Sequence, residues 1–293
     1  MEDIVIGLGE ILWDVFPDRK VLGGAPANFA YHAAQFGLDG YVVSAVGEDP
    51  LGDEILETLS LKQMDHLIER MDYPTGTVRI VLTGDGIPRY EICENVAWDN
   101  ILFTDKTAGL ARKAKAVSFG SLAQRSPVSR DSILAFLEAM PEDSLKVFDI
   151  NLRQRFFNKE VIELSLKRAN VLKINDEEVV VLAALFGLEQ LSEVEICRYL
   201  MRKYALEIVI LTRGVHGSFI FAAHETNYLP TPCVEVVDTV GAGDAFSAAF
   251  IAAYMKGRSI EEAHQLAVET AAFVCTRVGA MPELPEALRR RGM

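Results

Sequence analysis

At 293 residues, half of them apolar, the chain is long enough to bury a substantial core in one large domain or two ordinary ones. The 42 acidic residues outnumber the 29 basic ones, for a formal net charge of -13, which argues against a nucleic-acid partner. A nucleotide stays open, because nucleotide sites rely on local backbone donors and a metal ion rather than on global charge.

Cys93, Cys197, Cys233 and Cys275 stand far apart, with no CxxC and no histidine at ligand spacing, so neither a zinc site nor a disulfide framework is indicated. The start, Met1-Glu2-Asp3, is acidic where a signal peptide would be basic. The charge-free run from Ala245 to Met255 is too short to span a bilayer. These features predict a cytoplasmic protein with reduced thiols, without a membrane or nucleic-acid partner.

In chain order, short apolar runs appear at Ile4 to Ile6, Val42-Val43, Ala116 to Phe119, Val147-Phe148, Val171-Leu172 and Ile208 to Leu211, most of them followed by helix-like stretches. Buried runs alternating with helices predict an α/β fold, a layered and mainly parallel sheet flanked by helices. Thr77 to Leu82 and Arg89 to Cys93 break the rhythm, since Thr83 to Pro88 joins them without a helix. That is a hairpin pattern. The hairpin either extends an edge of the main sheet or builds a small β lid over a site, and the lid is the expectation. No repeat, low-complexity stretch or linker divides the chain, so 1-293 reads as a single domain.

There is no Gly-Lys dipeptide, which excludes a Walker-type phosphate loop. Gly7-Leu8-Gly9 follows the first strand, but Leu12 stands where a dinucleotide fingerprint needs its third glycine. The segment Asp238-Thr239-Val240-Gly241-Ala242-Gly243-Asp244 then opens a helix of small residues. Free amides at such a helix start, reinforced by its dipole, can stabilise charge on a transferring phosphoryl group. Asp244 stands where that group would arrive and could take the proton of an attacking sugar hydroxyl. Taken alone, the same residues read equally well as a tight turn and an ordinary helix-start acid.

A second glycine-rich element, Gly23-Gly24-Ala25-Pro26-Ala27-Asn28, suits a strained turn into a first helical turn. The Asn28 amide offers both a donor and an acceptor to sugar hydroxyls, and Asp14 is a lone acid nearby in sequence. The bland alternative is a surface acid and a plain cap. His32, His216 and Trp98 are assigned to core or surface, while Trp13 and Phe16 could line a sugar pocket.

The two glycine-rich segments resemble the signatures of the ribokinase-like (PfkB) carbohydrate kinases, and the chain is similar to that family over nearly its whole length. Asn175-Asp176-Glu177-Glu178 looks like the family's Asn-x-x-Glu, and Thr212-Arg213-Gly214-Val215-His216-Gly217 like its Thr-x-Gly-x-x-Gly. The resemblance implies an ATP-dependent kinase with Asp244 as base and Gly241, Ala242 and Gly243 as anion hole. It implies that Asp14, Gly23, Gly24 and Asn28 hold a small-molecule sugar, with a lid built from about 12-22 and 73-100. Asn175 and Glu178 would support Mg2+ and phosphate through water, and Thr212, Gly214 and Gly217 would lie along the nucleotide. The positions matching the family's K+ site are Asp238, Val240, Val274, Arg277, Gly279 and Glu283. A homodimer paired through the lid is a further implication.

Gly-Gly-Ala-Pro-Ala-Asn looks like fructokinases, which makes fructose to fructose 6-phosphate the expected reaction. Asp149-Ile150-Asn151-Leu152-Arg153 is similar to a segment shared by fructokinases and 2-keto-3-deoxygluconate kinases, so Arg153 could face the substrate or the phosphates, and in a sugar-acid kinase Arg79 or Arg89 could also pair with the substrate carboxylate. A 2-keto-3-deoxygluconate kinase is the nearest alternative. A nucleoside kinase, a non-catalytic sugar-binding protein and an NAD-linked oxidoreductase stand further off.

Overall fold

The structure is a computed structural model that describes residues 3-82 and 88-292. Among the described residues the main sheet has nine strands. In chain order these are β1 (Ile4–Leu8), β4 (Asp39–Gly47), β5 (Asp65–Met71), β8 (Ala116–Phe119), β9 (Leu145–Asp149), β10 (Val171–Asn175), β11 (Ile208–Thr212), β12 (Ser218–Phe221) and β13 (Thr226–Leu229). A second sheet holds β2 (Leu12–Val15), β3 (Lys20–Gly23), β6 (Thr77–Leu82) and β7 (Pro88–Ile92), in the order β3-β2-β6-β7. The predicted hairpin thus forms, and it belongs to this separate sheet, where β6 runs antiparallel to β7 and parallel to β2. The expected turn at Thr83 to Ile87 lies outside the described residues.

The main sheet runs β13-β12-β11-β10-β9-β8-β1-β4-β5, parallel from β11 to β5. The edge strands β12 and β13 are antiparallel, an extension the sequence pattern did not separate from the turn before it. The chain starts at β1, builds outward to β5, returns to β8 and builds the other way. The order therefore reverses between β1 and β8, and in such sheets the crevice at the carboxyl ends of those strands is where ligands sit.

Side chains alternate between the two faces as a pleated strand requires. Ile4, Ile6 and Leu8 pack on one layer with Phe119, Phe136, Leu166 and Leu182, while Val5 joins Phe29, Phe246 and Phe250 on the other. The second layer includes α1 (Ala25–Gln35), α8 (Ala242–Met255) and α9 (Ile260–Cys275). Ala245 to Ala253 is buried without a break, as expected of a helix whose small residues let it sit between sheet and neighbouring helices. No helix among the described residues is long and apolar enough to cross a membrane.

Candidate active site

Gly241 is the N-cap of α8, and its φ of 78° places it in the left-handed region. A Cβ there would lie 2.5 Å from the Ala280 Cβ, so both the backbone angle and the space demand glycine. No side chain caps the turn that follows, which leaves first-turn amides for an anion. Asp244 is the third residue of the helix, and its Oδ2 accepts a 2.8 Å hydrogen bond from Asn28 Nδ2 on α1. Burial pushes the Asp244 carboxyl up to about 7. The Asp149 charge adds to that, and the Asn28 hydrogen bond, Lys173 and Arg153 oppose it.

Under this turn lies a residue that sequence reasoning missed. Lys173, from β10, places Nζ 3.1 Å from Asp149 Oδ1 at the end of β9, with both side chains at least nine-tenths buried. A Cβ on Gly243 would be 3.2 Å from that ammonium, so glycine at 243 is what lets it approach the turn. Burial acts to lower the Lys173 pKa, but Asp149, Glu178 and Asp244 together raise it. The available signal was a lysine inside the apolar run Val171-Leu172-Lys173-Ile174. Asn175 and Glu178 form a reciprocal cap on α6 (Asp176–Phe186): Asn175 Oδ1 accepts the Glu178 amide at 2.8 Å, and Glu178 Oε2 accepts the Asn175 amide at 2.9 Å. Glu178 Oε1 accepts the Leu152 amide at 3.0 Å, and burial raises its pKa.

Asp14 sits on β2 opposite Val21. A Cβ on Gly23 would lie 2.5 Å from Asp14 Oδ2, and one on Gly24 2.4 Å from the Glu10 carbonyl oxygen. The paired glycines thus let two acidic residues crowd the entrance to α1. Burial pushes the Asp14 carboxyl up to about 6, against the pull of Arg153. Glu10 was also missed: it is 2% exposed, its Oε2 has no hydrogen-bond partner, and burial pushes it up to about 7. Arg153 is exposed in the loop after β9, between Asn151 and Gln154 in left-handed backbone, and its charge acts on Glu10, Asp14 and Asp244 alike. Asn28 Oδ1 is buried without a partner. It is an acceptor waiting for a donor. Arg79 is exposed on β6, and the Arg89 side chain lies outside the described residues.

The remaining sequence candidates fall in the turn after β11 and between residues 238 and 283. Thr212 ends β11, Gly214 and Gly217 take φ of 50° and 88°, and a Cβ on Gly217 would lie 2.5 Å from the Leu229 carbonyl oxygen. Val215 is exposed within this turn, and Val236, Val237, Val240 and Val278 are exposed near Asp238 and Gly279 in sequence. Asp238 is a cross-link: Oδ1 accepts the Val240 amide and Oδ2 the Gly279 amide, each at 3.0 Å. Val274 is fully buried, Arg277 lies over the Phe273 ring, and Glu283 pairs with Arg289. No group of three or more His, Cys, Asp or Glu side chains able to hold a metal occurs among the described residues. His32 and Trp98 are fully buried and His216 is exposed, as expected. Trp13 is a correction: at 6% exposed it packs with Ile11, Leu22 and Val46, and its indole N–H donates to the Leu51 carbonyl, so it belongs to the core rather than to a pocket wall.

Residues 10–287 match the pfkB family of carbohydrate kinases. A fructokinase of Salmonella typhimurium is 27% identical, with 95% of each chain covered. An ATP-dependent 6-phosphofructokinase of Thermoanaerobacterium thermosaccharolyticum is 26% identical over 96% of this chain and 91% of the relative. Among solved structures, a sugar kinase of Pyrococcus horikoshii in complex with ATP aligns with a TM-score of 0.81 at 26% identity, covering 99% of this chain and 100% of that one. With the match spanning all but the two ends, the chain belongs to the pfkB family of carbohydrate kinases.

Proposed function

We propose that this carbohydrate kinase is a fructokinase that uses Asp244 to deprotonate the sugar hydroxyl attacking the γ-phosphate of ATP. The observation that carries the reading is the half-buried Asp244 carboxyl, held by Asn28 at an uncapped helix start and pushed up to about 7. A base with that affinity both takes a proton and gives it up at neutral pH. The sugar oxygen forms its bond to the γ-phosphorus as the bond from phosphorus to the bridging oxygen breaks. ADP leaves with that electron pair and the proton stays on Asp244.

The chain's own groups divide the work. Asp14 and the unpartnered Oδ1 of Asn28 accept sugar hydroxyl protons, and the open backbone at Gly23-Gly24 lets the sugar lie close. The first-turn amides of α8 and the Lys173 ammonium face the charge gathering on the transferring group. The exposed Val215 between Gly214 and Gly217 suits an adenine ring. The ATP complex of the P. horikoshii relative supports the choice of donor. Magnesium, when bound, neutralises phosphate charge; each Glu178 oxygen, engaged by one amide, keeps a lone pair for a bridging water, and Asn175 stands beside it. We assign a monovalent cation, K+, to the carbonyls around the Asp238 and Gly279 cross-link, and a lid role to the small sheet. Its outer strands β3 and β7 are the edges through which two copies would pair.

Fructose is favoured over an acidic sugar by charge. Glu10, Asp14, Asp149 and Asp244 converge on the site against Lys173 and Arg153, an environment better matched to a neutral ligand. The second reading, 2-keto-3-deoxygluconate, rests on the exposed guanidinium of Arg153, which could fork onto a carboxylate. ADP release measured against fructose, 2-keto-3-deoxygluconate, ribose, glucose and adenosine separates the two. Turnover on fructose supports the proposal, and preference for the sugar acid transfers the assignment to the second reading.

A further inference from the structure

We propose that His32 and Gln35, at the C-terminal end of α1, are positioning residues that hold the Gly241 turn in shape by clamping the segment 280-284 behind it. The proposal rests on reading Gly241 to Gly243 as the anion hole. His32 is fully buried, and its Nε2 lies 2.9 Å from the Ala280 carbonyl oxygen. A carbonyl only accepts, so Nε2 carries the proton and Nδ1 is left as acceptor, facing Gln35 Nε2 at 3.3 Å. Gln35 Nε2 also reaches the Pro282 carbonyl oxygen at 3.3 Å, and its Oε1 accepts the Leu284 amide at 2.7 Å. Two adjacent side chains of one helix thereby bind alternate residues of one segment.

That segment is the backing of the anion turn. The Ala280 Cβ and Cα lie 2.5 and 2.7 Å from where a Gly241 side chain would begin, and Ala280 is 2% exposed. The other end is tied by Gly279, whose amide donates to Asp238. Asn28 and His32 are four residues apart on α1 and so share a helix face. One contact from that face reaches Asp244, downstream of Gly241, and the other reaches Ala280, behind it. The helix spans the turn as a rigid ruler, setting the base and the anion hole in register. Burial lowers the His32 pKa to about 4, so the neutral ring that this arrangement needs is the form present near neutrality.

The test compares His32→Leu, His32→Gln, Gln35→Leu and Asp244→Asn by steady-state kinetics, with hydrogen exchange of the 239-245 amides as a readout independent of turnover. The Gln side chain can place a donor where Nε2 stood. A displacement of about 1 Å in a catalytic constellation costs on the order of 100-fold. His32→Leu is expected to lower kcat roughly 10- to 100-fold, with little change in either KM and faster exchange in the turn. His32→Gln should recover most of both. If His32→Leu folds, turns over normally and leaves exchange unchanged while Asp244→Asn is inactive, the clamp is wrong and the site reading stands. If Asp244→Asn is itself active, the site reading fails. Should His32→Leu not fold, Gln35→Leu decides: roughly a severalfold loss of kcat is expected, and unchanged kcat and exchange overturn the proposal.

Discussion

Lys173 Nζ lies 3.1 Å from Asp149 Oδ1, joining two neighbouring parallel strands directly beneath the first turn of α8. Both groups are removed from water, and the Lys173 ammonium is held charged by Asp149 and by the carboxylates of Glu178 and Asp244 nearby. Removing one partner of a buried pair strands the other charge, at a cost of about 3–5 kcal/mol. Lys173→Met should therefore unfold at clearly lower urea, and Lys173→Met with Asp149→Leu should regain part of the loss. Equal stability of the single variant and the parent would show that the pair contributes nothing.

The raised Asp244 carboxyl links activity to pH. Protonated Asp244 cannot accept the hydroxyl proton, so kcat/KM for the sugar should fall on the acid side with an apparent pKa near 7. A flat profile from pH 5.5 to 8.5 would detach Asp244 from the chemistry.

The same shift has a stability consequence of defined sign. The folded carboxyl titrates near 7 and the free one at 3.8, so the folded protein binds more protons between those values and loses stability as pH rises through them. Asp244→Asn, which carries no charge, should melt higher than the parent at pH 8, with the gain shrinking towards pH 4. A gain that grows on acidification would contradict the raised value.

If Asp14 holds only the sugar, as proposed, Asp14→Ala should raise the sugar KM roughly tenfold or more and leave the ATP KM within about twofold. Equal rises in both would mean that the variant disturbs the fold instead.

The cross-link from Asp238 to Val240 and Gly279 underlies the cation prediction. Activity should rise when potassium replaces a large organic cation at constant ionic strength. No response would remove the cation from this turn.

What the sequence made legible is what local chemistry dictates. Gly24, Gly241 and Gly217 are glycines because their backbone angles and crowded surroundings admit little else, and such positions show in the sequence as clustered glycines. The parallel strands were equally plain, since burial on both faces leaves continuous apolar runs such as Ile208 to Leu211. Glu10, Lys173, His32 and Gln35 were opaque for the opposite reason. Lys173 pairs across 24 residues and His32 across 248, so nothing in their own neighbourhoods announces the role. Arg125, bidentate to buried Asp99 and stacked on Trp98, is likewise a tertiary fact. Trp13 was misplaced because an aromatic beside Asp14 looks the same in sequence whether it faces a ligand or the core.

The most direct test of the central claim is kcat for Asp244→Asn with fructose and ATP at pH 8. The side chain keeps its size and its contact to Asn28 but loses the base. A fall of roughly three orders of magnitude or more, with folding and ATP binding retained, is the predicted result. Turnover within about tenfold of the parent would contradict the account, because general-base catalysis contributes at least about 100-fold where it operates.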